Sequence, residues 1–313
     1  MNLSVFQCRQ HEEIIMDVAI TGSSGLIGTA LQSALVDAGH RPIRLVRRAP
    51  APGADEIQWD VAAGSIDSSA LEGIDAVVHL AGAGIGDKRW NDAYKKLVLE
   101  SRTQGTALLA ETLAGLDRKP SILLSGSAIG YYGPRDDVIT EDTPAGDTFL
   151  ADVCVQWEAA AQPAIDAGIP TAYLRTGVVQ TPLGGGLKKL LPLFKLGVGG
   201  PFGSGKQHQS WITLDDEVAA IVHLLTAGVT GPVNLTAPHP VTNKEFAKTL
   251  GKVLQRPAII PIPAFGPRLL LGTEMANALL FESQNIVPNV LKASGYTFAH
   301  PDLETGLRAV LGK

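Results

Sequence analysis

Gly22-Ser23-Ser24-Gly25-Leu26-Ile27-Gly28 sets three glycines at three-residue intervals between an apolar run, Asp17–Thr21, and an amphipathic stretch. Each glycine answers a separate steric need. Gly22 allows a tight turn out of a strand, Gly25 lets backbone approach a ligand, and Gly28 lets a helix pack close to a sheet. A turn of this kind holds a pyrophosphate, because the helix start offers unpaired N–H groups and the positive end of its dipole. Its position after a strand and ahead of a helix sets it apart from an ordinary glycine-rich turn. The next apolar run, RPIRLVRR, ends in Arg47 and Arg48, with no acid before Asp55. An acid there would hydrogen-bond a ribose 2′-hydroxyl, whereas a guanidinium fork suits a 2′-phosphate. The pair points to NADP(H) over NAD(H); two solvated surface charges are the plainer alternative.

These residues need elements to position them. After Asp17–Thr21, the helical spacing of Ile27, Leu31, Ala34, Leu35 and Ala38 runs to Gly39. Further strands are expected at RPIRLVRR, at EIQWD (56–60), at DAVVHLAG (75–82), at SILLSGSA (121–128) and at TAYLRTGVV (171–179). Helices are expected over 90–116 and 151–167. Strands alternating with helices imply crossovers, hence a doubly wound parallel α/β sheet. After Pro182 the pattern changes. GVGGPFGSG reads as loop, 215–228 as helix and GPVNLT as another strand, and the last seventy residues as helices around the joint RPAIIPIPAFGP. The expected division is a 1–15 extension, a dinucleotide-binding domain of 16–182 plus 211–236, and a smaller, partly interleaved C-terminal substrate domain of 183–210 plus 237–313.

Composition narrows the partners. With 313 residues, 45% apolar and 18% charged, the chain can bury a large core without staples. Its 26 Lys+Arg against 31 Asp+Glu give a net charge of −5, and no basic stripe points to nucleic acid. Cys8 and Cys154 form no metal or disulfide pattern, which fits a reducing cytoplasm. Residues 1–15 lack the basic start and apolar core of a signal peptide, and read as an extension or as an over-long start before Met16. The uncharged stretch 218–243 holds prolines, glycines and histidines and is no membrane span. Monomer and homodimer stay open.

GSSGLIG, VVHLAG and LLSGSA in this order resemble the extended short-chain dehydrogenase/reductases, the epimerase/dehydratase group, with LRTGVV, WITLDDEVAAI and GPVNLTAPHPVTNKEFAKTL as later segments. VVHLAGAGI with the following RW, SGSAIGYYG, WEAAA, GGGLKKLLPLFKLGVGGPFGSGKQ and QSWI narrow this to an atypical epimerase-like subfamily over residues 16 to 313. Its members carry a short C-terminal domain of unassigned function and are labelled sugar-nucleotide epimerase or cell-division inhibitor. The resemblance implies a Rossmann-type fold and NADP(H) contacts. Gly22, Ser24, Gly25, Leu26, Ile27 and Gly28 would form the phosphate loop, and Arg47 and Arg48 would meet the adenosine phosphate. Asp60 would lie near the adenine, and Leu80, Ala81 and Gly82 against the ribose. Arg102 would face the cofactor, with Arg175, Thr176 and Gly177 near the nicotinamide.

The chain departs from the wider group where the chemistry should be. A hydride-transferring member supplies Ser or Thr and a Tyr-x-x-x-Lys pair, whose lysine lowers the tyrosine pKa. Ser127 matches the serine. Anchoring on Glu158 puts Leu150 at the tyrosine position and Cys154 at the lysine position, and 133–172 holds neither tyrosine nor lysine. Tyr131 and Tyr132 are the substitute acids, or else aromatic packing; Cys154 reads as a buried inert thiol. Asp87, Lys88 and Arg89 could meet substrate or be a solvated loop. Lys188, Lys189, Lys195 and Lys206 could attract an anion, and His208 could touch ligand. Asp215 and Asp216 read as helix-start acids. The expected function is an NADP(H)-dependent oxidoreductase or epimerase-type enzyme on a small polar substrate, with a nucleotide sugar as one candidate. The alternative is a non-catalytic NADP(H)-binding sensor or regulator tied to cell division.

Overall fold

A computed structural model of the chain describes residues 15–313. The reading of 1–15 as an extension, and Cys8 with it, falls outside them apart from Ile15. The first half runs β1 (Asp17–Thr21), α1 (Leu26–Asp37), β2 (Arg41–Val46), β3 (Glu56–Asp60), β4 (Ser65–Ile66), β5 (Ala76–His79), α2 (Asp92–Ala114), β6 (Ile122–Ala128), β7 (Arg135–Ile139), α3 (Phe149–Ala159) and α4 (Gln162–Asp166). Then come β8 (Thr171–Thr176), β9 (Val178–Gln180), α5 (Gly185–Lys195), β10 (His208–Gln209), β11 (Trp211–Thr213), α6 (Leu214–Leu224), β12 (Gly231–Leu235) and β13 (Val241–Thr242). The chain ends with α7 (Asn243–Leu254), α8 (Phe265–Leu271), α9 (Thr273–Ala276), β14 (Gln284–Ile286), α10 (Asn289–Ala293) and α11 (Leu303–Leu311).

The main sheet has eight strands in the order β12-β8-β6-β5-β1-β2-β3-β4. All neighbours are parallel except β3 and the short edge strand β4. The order reverses between β1 and β5, so the crevice above their carboxyl ends is the place where this topology receives a ligand. Alternating residues explain the double winding. Val18, Ile20, Val78, Leu124 and Leu174 pack with Leu31 and Leu35 of α1 and Ile221 and Leu224 of α6. Ala19, Val77, Leu123 and Trp59 pack on the other face with Leu109 and Leu113 of α2. With both faces covered, AVVH of β5 is buried at every position.

The structure departs from the expected elements in three places. The 151–167 helix breaks at Ala160 and Ala161 into α3 and α4. The 171–179 strand breaks at Gly177, where a Cβ would lie 2.9 Å from Thr236 Cγ2 and 3.0 Å from Ser210 O; β9 then leaves the sheet to pair with β11. The C-terminal region contributes β14, which pairs with β7. A separate core joins Leu187, Leu191 and Phe194 of α5 to Phe246 and Leu250 of α7 and to Leu303 and Leu307 of α11.

Asp216 ties the C-terminal segment to the main fold. Its buried carboxylate accepts from Ala299 N at 2.8 Å, from His300 N, Tyr296 Oη and Thr213 Oγ1 at 3.0 Å each. Thr213 in turn caps α6 by accepting from Asp216 N. Asp216 is therefore a helix-start acid with a long-range structural role. Asp216→Ala strands these donors and should cost about 3 kcal/mol or more in the urea unfolding free energy. A loss below about 0.5 kcal/mol, the level of an ordinary surface substitution, would show that the tie is dispensable.

Candidate functional site

The switch point is assembled by one threonine and one glycine. Thr21 Oγ1 accepts from Leu80 N at 3.1 Å and from Ala81 N at 3.2 Å, and its own proton goes to His79 Nδ1 at 2.7 Å. That leaves His79 as the Nε2–H tautomer, edge-on to Trp59. Burial holds the imidazole neutral, with its pKa lowered to about 4. Gly22 has φ +66°, and a Cβ on it would stand 2.7 Å from the Leu80 carbonyl. Gly28 is as constrained, since its Cβ would lie 2.3 Å from Gly22 O. The two turns thus meet backbone to backbone. No side chain caps α1 at Gly25, so its first N–H groups face the cleft. Ser24 and Gly25 are exposed, Leu26 and Ile27 half-buried. This cradle has the shape and the donors for a pyrophosphate.

At the end of β2, Arg47 is exposed and has no hydrogen bond among the described residues. Arg48 is held in a fork by Glu56, at 2.8 Å from Nη1 and 2.6 Å from Nη2, and Arg44 closes on the same carboxylate. The Arg48 fork keeps the Glu56 carboxyl below the usual range, and Glu56 raises Arg48. Asp60 caps the turn after β3 by accepting from Ala62 N and Ala63 N.

Beyond Gly82 the chain is pinned at successive residues. Ala83 N donates to Ser101 Oγ and Ala83 O accepts from Arg102 Nη1. Gly84 O accepts from Tyr94, Ile85 O from Trp90 Nε1, and Gly86 O from Lys189 Nζ. Hydrogen bonds thus tie every residue from Ala83 to Gly86, and the exposed Asp87, Lys88 and Arg89 follow. Lys188 donates to Leu183 O, while Lys195 and Lys206 are exposed.

The acid–base candidates fall into one buried chain. Ser127 Oγ donates to Glu158 Oε1 at 2.6 Å. Arg175 grips the same carboxylate from Nε at 2.8 Å and Nη2 at 2.9 Å. Its Nη1 donates to Tyr132 Oη at 2.9 Å, and Tyr132 donates to Asn234 Oδ1 at 2.7 Å. Tyr131, half-buried, lays its ring 3.4 Å from Arg175 Cζ. Burial pushes the Tyr132 hydroxyl up to about 12, and both its hydrogen-bonding roles are used. The sequence offered Tyr132 as an acid, and the structure makes it a packed anchor. Arg175, offered as a nicotinamide contact, instead fills the Glu158 pairing. Leu150 and Cys154 turn toward Gly130 on the 3-10 turn after β6. Burial raises the Cys154 thiol to about 12, so it is inert. His208 N donates to Ser283 Oγ, a link to the C-terminal segment.

Sequence reasoning missed Glu158 as a partner of Ser127, and Glu141 and Glu217 altogether. Glu141 Oε1 accepts from Asn234 N at 3.2 Å and Val290 N at 3.1 Å. Glu217 is fully buried on α6; it accepts from Thr176 Oγ1 at 2.8 Å, and its other oxygen has no partner. Burial raises its pKa from 4.5 to about 8. The folded chain therefore keeps a proton that the unfolded chain releases, and stability falls as pH rises from about 4.5 to about 8. Glu217→Gln cannot ionise. It should be more stable than wild type at pH 8.5, on the order of a few kcal/mol, with the gap closing toward pH 5. A pH-independent difference between the two melting curves would contradict this.

The NAD dependent epimerase/dehydratase family matches residues 18–236, and a domain of unknown function, DUF1731, matches residues 262–310. An epimerase family protein of Mycobacterium tuberculosis (strain CDC 1551 / Oshkosh) is 43% identical over 285 residues, covering 90% of this chain and 93% of the relative. Human epimerase family protein SDR39U1 is 37% identical over 301 residues, covering 95% of this chain and 100% of the relative. The crystal structure of that human protein (isoform 2) with NADPH superposes at TM-score 0.86 and 36% identity, over 94% of this chain and 99% of the other. A nucleoside-diphosphate sugar epimerase from Corynebacterium glutamicum does so at TM-score 0.77 and 37% identity, over 96% of this chain and 59% of the other. With the glycine turn, the switch point and these relatives in agreement, the chain belongs to the NAD dependent epimerase/dehydratase family and carries the DUF1731 domain at its C-terminal end.

Proposed function

We propose that this chain binds NADP(H) across the switch point between β1 and β5. There it serves an oxidoreductase or epimerase-type reaction on a small polar substrate, with a nucleotide sugar as the leading class. The uncapped start of α1 at Gly25, held beside the β5 turn by the close approach of Gly22 to Leu80, carries the reading, because it offers unpaired backbone N–H donors to a pyrophosphate. The human relative crystallised with NADPH supports the same cofactor. Arg47, without a side-chain partner among the described residues, and Arg48, preset by Glu56, supply the positive charge for a 2′-phosphate. When bound, the nicotinamide supplies or accepts a hydride.

Ser127 gives its proton to Glu158 and so keeps its lone pairs free to accept from a substrate hydroxyl and orient it. Glu158, fixed by Arg175, holds that orientation. Tyr131, whose ring lies against the Arg175 guanidinium, is the candidate general acid. Leu150 and Cys154, packed where a tyrosine–lysine pair would serve hydride transfer, favour a second reading: an NADP(H)-binding sensor or regulator without turnover. Under either reading the two isolated cysteines of the sequence suit a reducing cytoplasm. We assign the site to a small molecule and not to nucleic acid.

Fluorescence titration tests the cofactor. NADPH should bind at micromolar levels or tighter and about tenfold or more above NADH, and Arg48→Glu should erase that preference with NADH little changed. Equal affinities, or an unaltered preference in the variant, would remove the 2′-phosphate assignment. A screen of nucleotide sugars with NADP+ and with NADPH, followed by cofactor absorbance for net redox turnover and by product analysis for epimerisation, which returns its hydride and leaves absorbance unchanged, separates the two readings. Turnover lost in Ser127→Ala supports the enzyme. Absence of turnover across the screen, with NADPH tightly bound, supports the sensor.

A further inference from the structure

Helix α8, FGPRLLL, is mostly apolar and buries none of its residues. Phe265 is 74% exposed, and Leu269 and Leu270 are 78% exposed each. The loop before it continues the surface, with Ile259 82% and Ile260 62% exposed. That loop lies along the segment that follows α5. Arg256 Nε donates to Lys195 O at 3.1 Å, Ile262 N to Pro201 O at 2.8 Å and Gly203 N to Ile262 O at 3.0 Å. Leu196 of the same segment is 76% exposed. Arg268 fixes α8 to the body: its Nε donates to Asn277 Oδ1 at 3.0 Å, and its Cζ lies 5.5 Å from the ring of Phe281, which packs on Phe202. Helix and loop thus form one apolar surface. Single exposed leucines are ordinary, but a contiguous group of this kind marks a surface that something covers.

Charge says what covers it. Residues 182–214 hold four lysines and no acid, and residues 246–273 hold two lysines, two arginines and no acid, in a chain of net charge −5. Among the described residues, Lys252 alone of these eight cations pairs with a carboxylate, that of Glu304. The apolar surface therefore sits in the cationic part of an otherwise acidic molecule. A second copy is a poor occupant, because two-fold pairing would set the same cations against one another. An added strand is another, because Pro257, Pro261, Pro263 and Pro267 have no N–H for a ladder. What the surface offers is apolar burial and free positive charge, neither of which needs a directional partner. An anionic bilayer complements both. No described helix is long and apolar enough to cross a membrane, so such contact is with the membrane surface.

We propose that α8 and the 256–262 loop dock this chain on the surface of an anionic lipid bilayer. Phe265, Leu269, Leu270, Ile259 and Ile260 enter the boundary between headgroups and acyl chains, while Lys195, Arg256 and Arg268 meet lipid phosphates. The net negative charge of the whole chain opposes approach by its other faces, so the electrostatics that attract this face also orient the molecule. Docking of this kind is independent of which cofactor the crevice holds.

Vesicle flotation tests the surface. The full chain is mixed with vesicles of phosphatidylcholine alone, or of phosphatidylcholine and phosphatidylglycerol in equal parts, at low and high salt, and unfolding midpoints are measured in parallel. Wild type should partition onto the anionic vesicles about tenfold or more above the neutral ones, and added salt should weaken this. Phe265→Ser combined with Leu269→Ser should weaken binding to the anionic vesicles about tenfold or more, and Arg256→Glu about fivefold or more. Midpoints should stay at the wild-type value, because all three side chains are exposed. Leu270→Ser, a single change, gives a second reading should the double variant lower its midpoint. Wild type left unbound by anionic vesicles overturns the proposal and leaves an acidic protein as the occupant. Equally strong binding by wild type and the variants also overturns it, since another face would then be adsorbing. A wild-type dimer that ignores vesicles and dissociates in the double variant overturns it in favour of a second copy.

Discussion

The close approach of Gly22 to the Leu80 carbonyl is the constraint around which the upper half of the molecule is arranged. A 2.7 Å gap to a hypothetical Cβ admits no side chain, and the positive φ at Gly22 suits no other residue well. Thr21 sits directly beneath, and its hydroxyl reads three partners at once: two backbone N–H groups from the β5 turn and the His79 ring. From that junction the Gly25 helix start points one way and the pinned loop Ala83–Gly86 the other. A ligand laid across the crevice meets fixed donors on both sides, so little ordering entropy is lost on binding.

The chemistry follows a different economy from the hydride-transferring members with a tyrosine–lysine pair. Polar side chains below the crevice are spent on one another. Ser127, Glu158, Arg175, Tyr132 and Asn234 form a single buried chain, and a buried pair such as Glu158–Arg175 holds geometry more than it adds stability. At the carboxyl ends of the strands stand positive charge at the end of β2 and the uncapped backbone amides of α1. The site is thus better equipped to hold anions than to move protons.

Much of the fold was legible in the sequence because its signals are local. Val18 and Ile20 alternate with Ala19 and Thr21, Leu31 and Leu35 repeat at helical spacing, and the glycine turn joins them. The Gly22, Gly25, Gly28 positions and the β5 turn were readable for the same reason. The breaks at Ala160 and Gly177 were not, since the second is forced by Ser210 and Thr236, distant in the chain. Tyr132 looked available because the sequence does not show Asn234, 102 residues away, or Arg175, 43 away, closing on its hydroxyl. Glu217 lay hidden in a run of three acids at a helix start, where exposure is the ordinary expectation, yet it faces inward onto Thr176. Arg48 read as an open fork; only the pairing of β2 with β3 shows Glu56 beside it.

Amide hydrogen exchange with and without NADPH tests the central claim most directly. If the two turns jointly form the cofactor cradle, NADPH should slow exchange at residues 22–28 and 80–86 together, with smaller change in the α7–α11 region. Protection confined elsewhere, or exchange at both turns indifferent to saturating NADPH, would contradict the account.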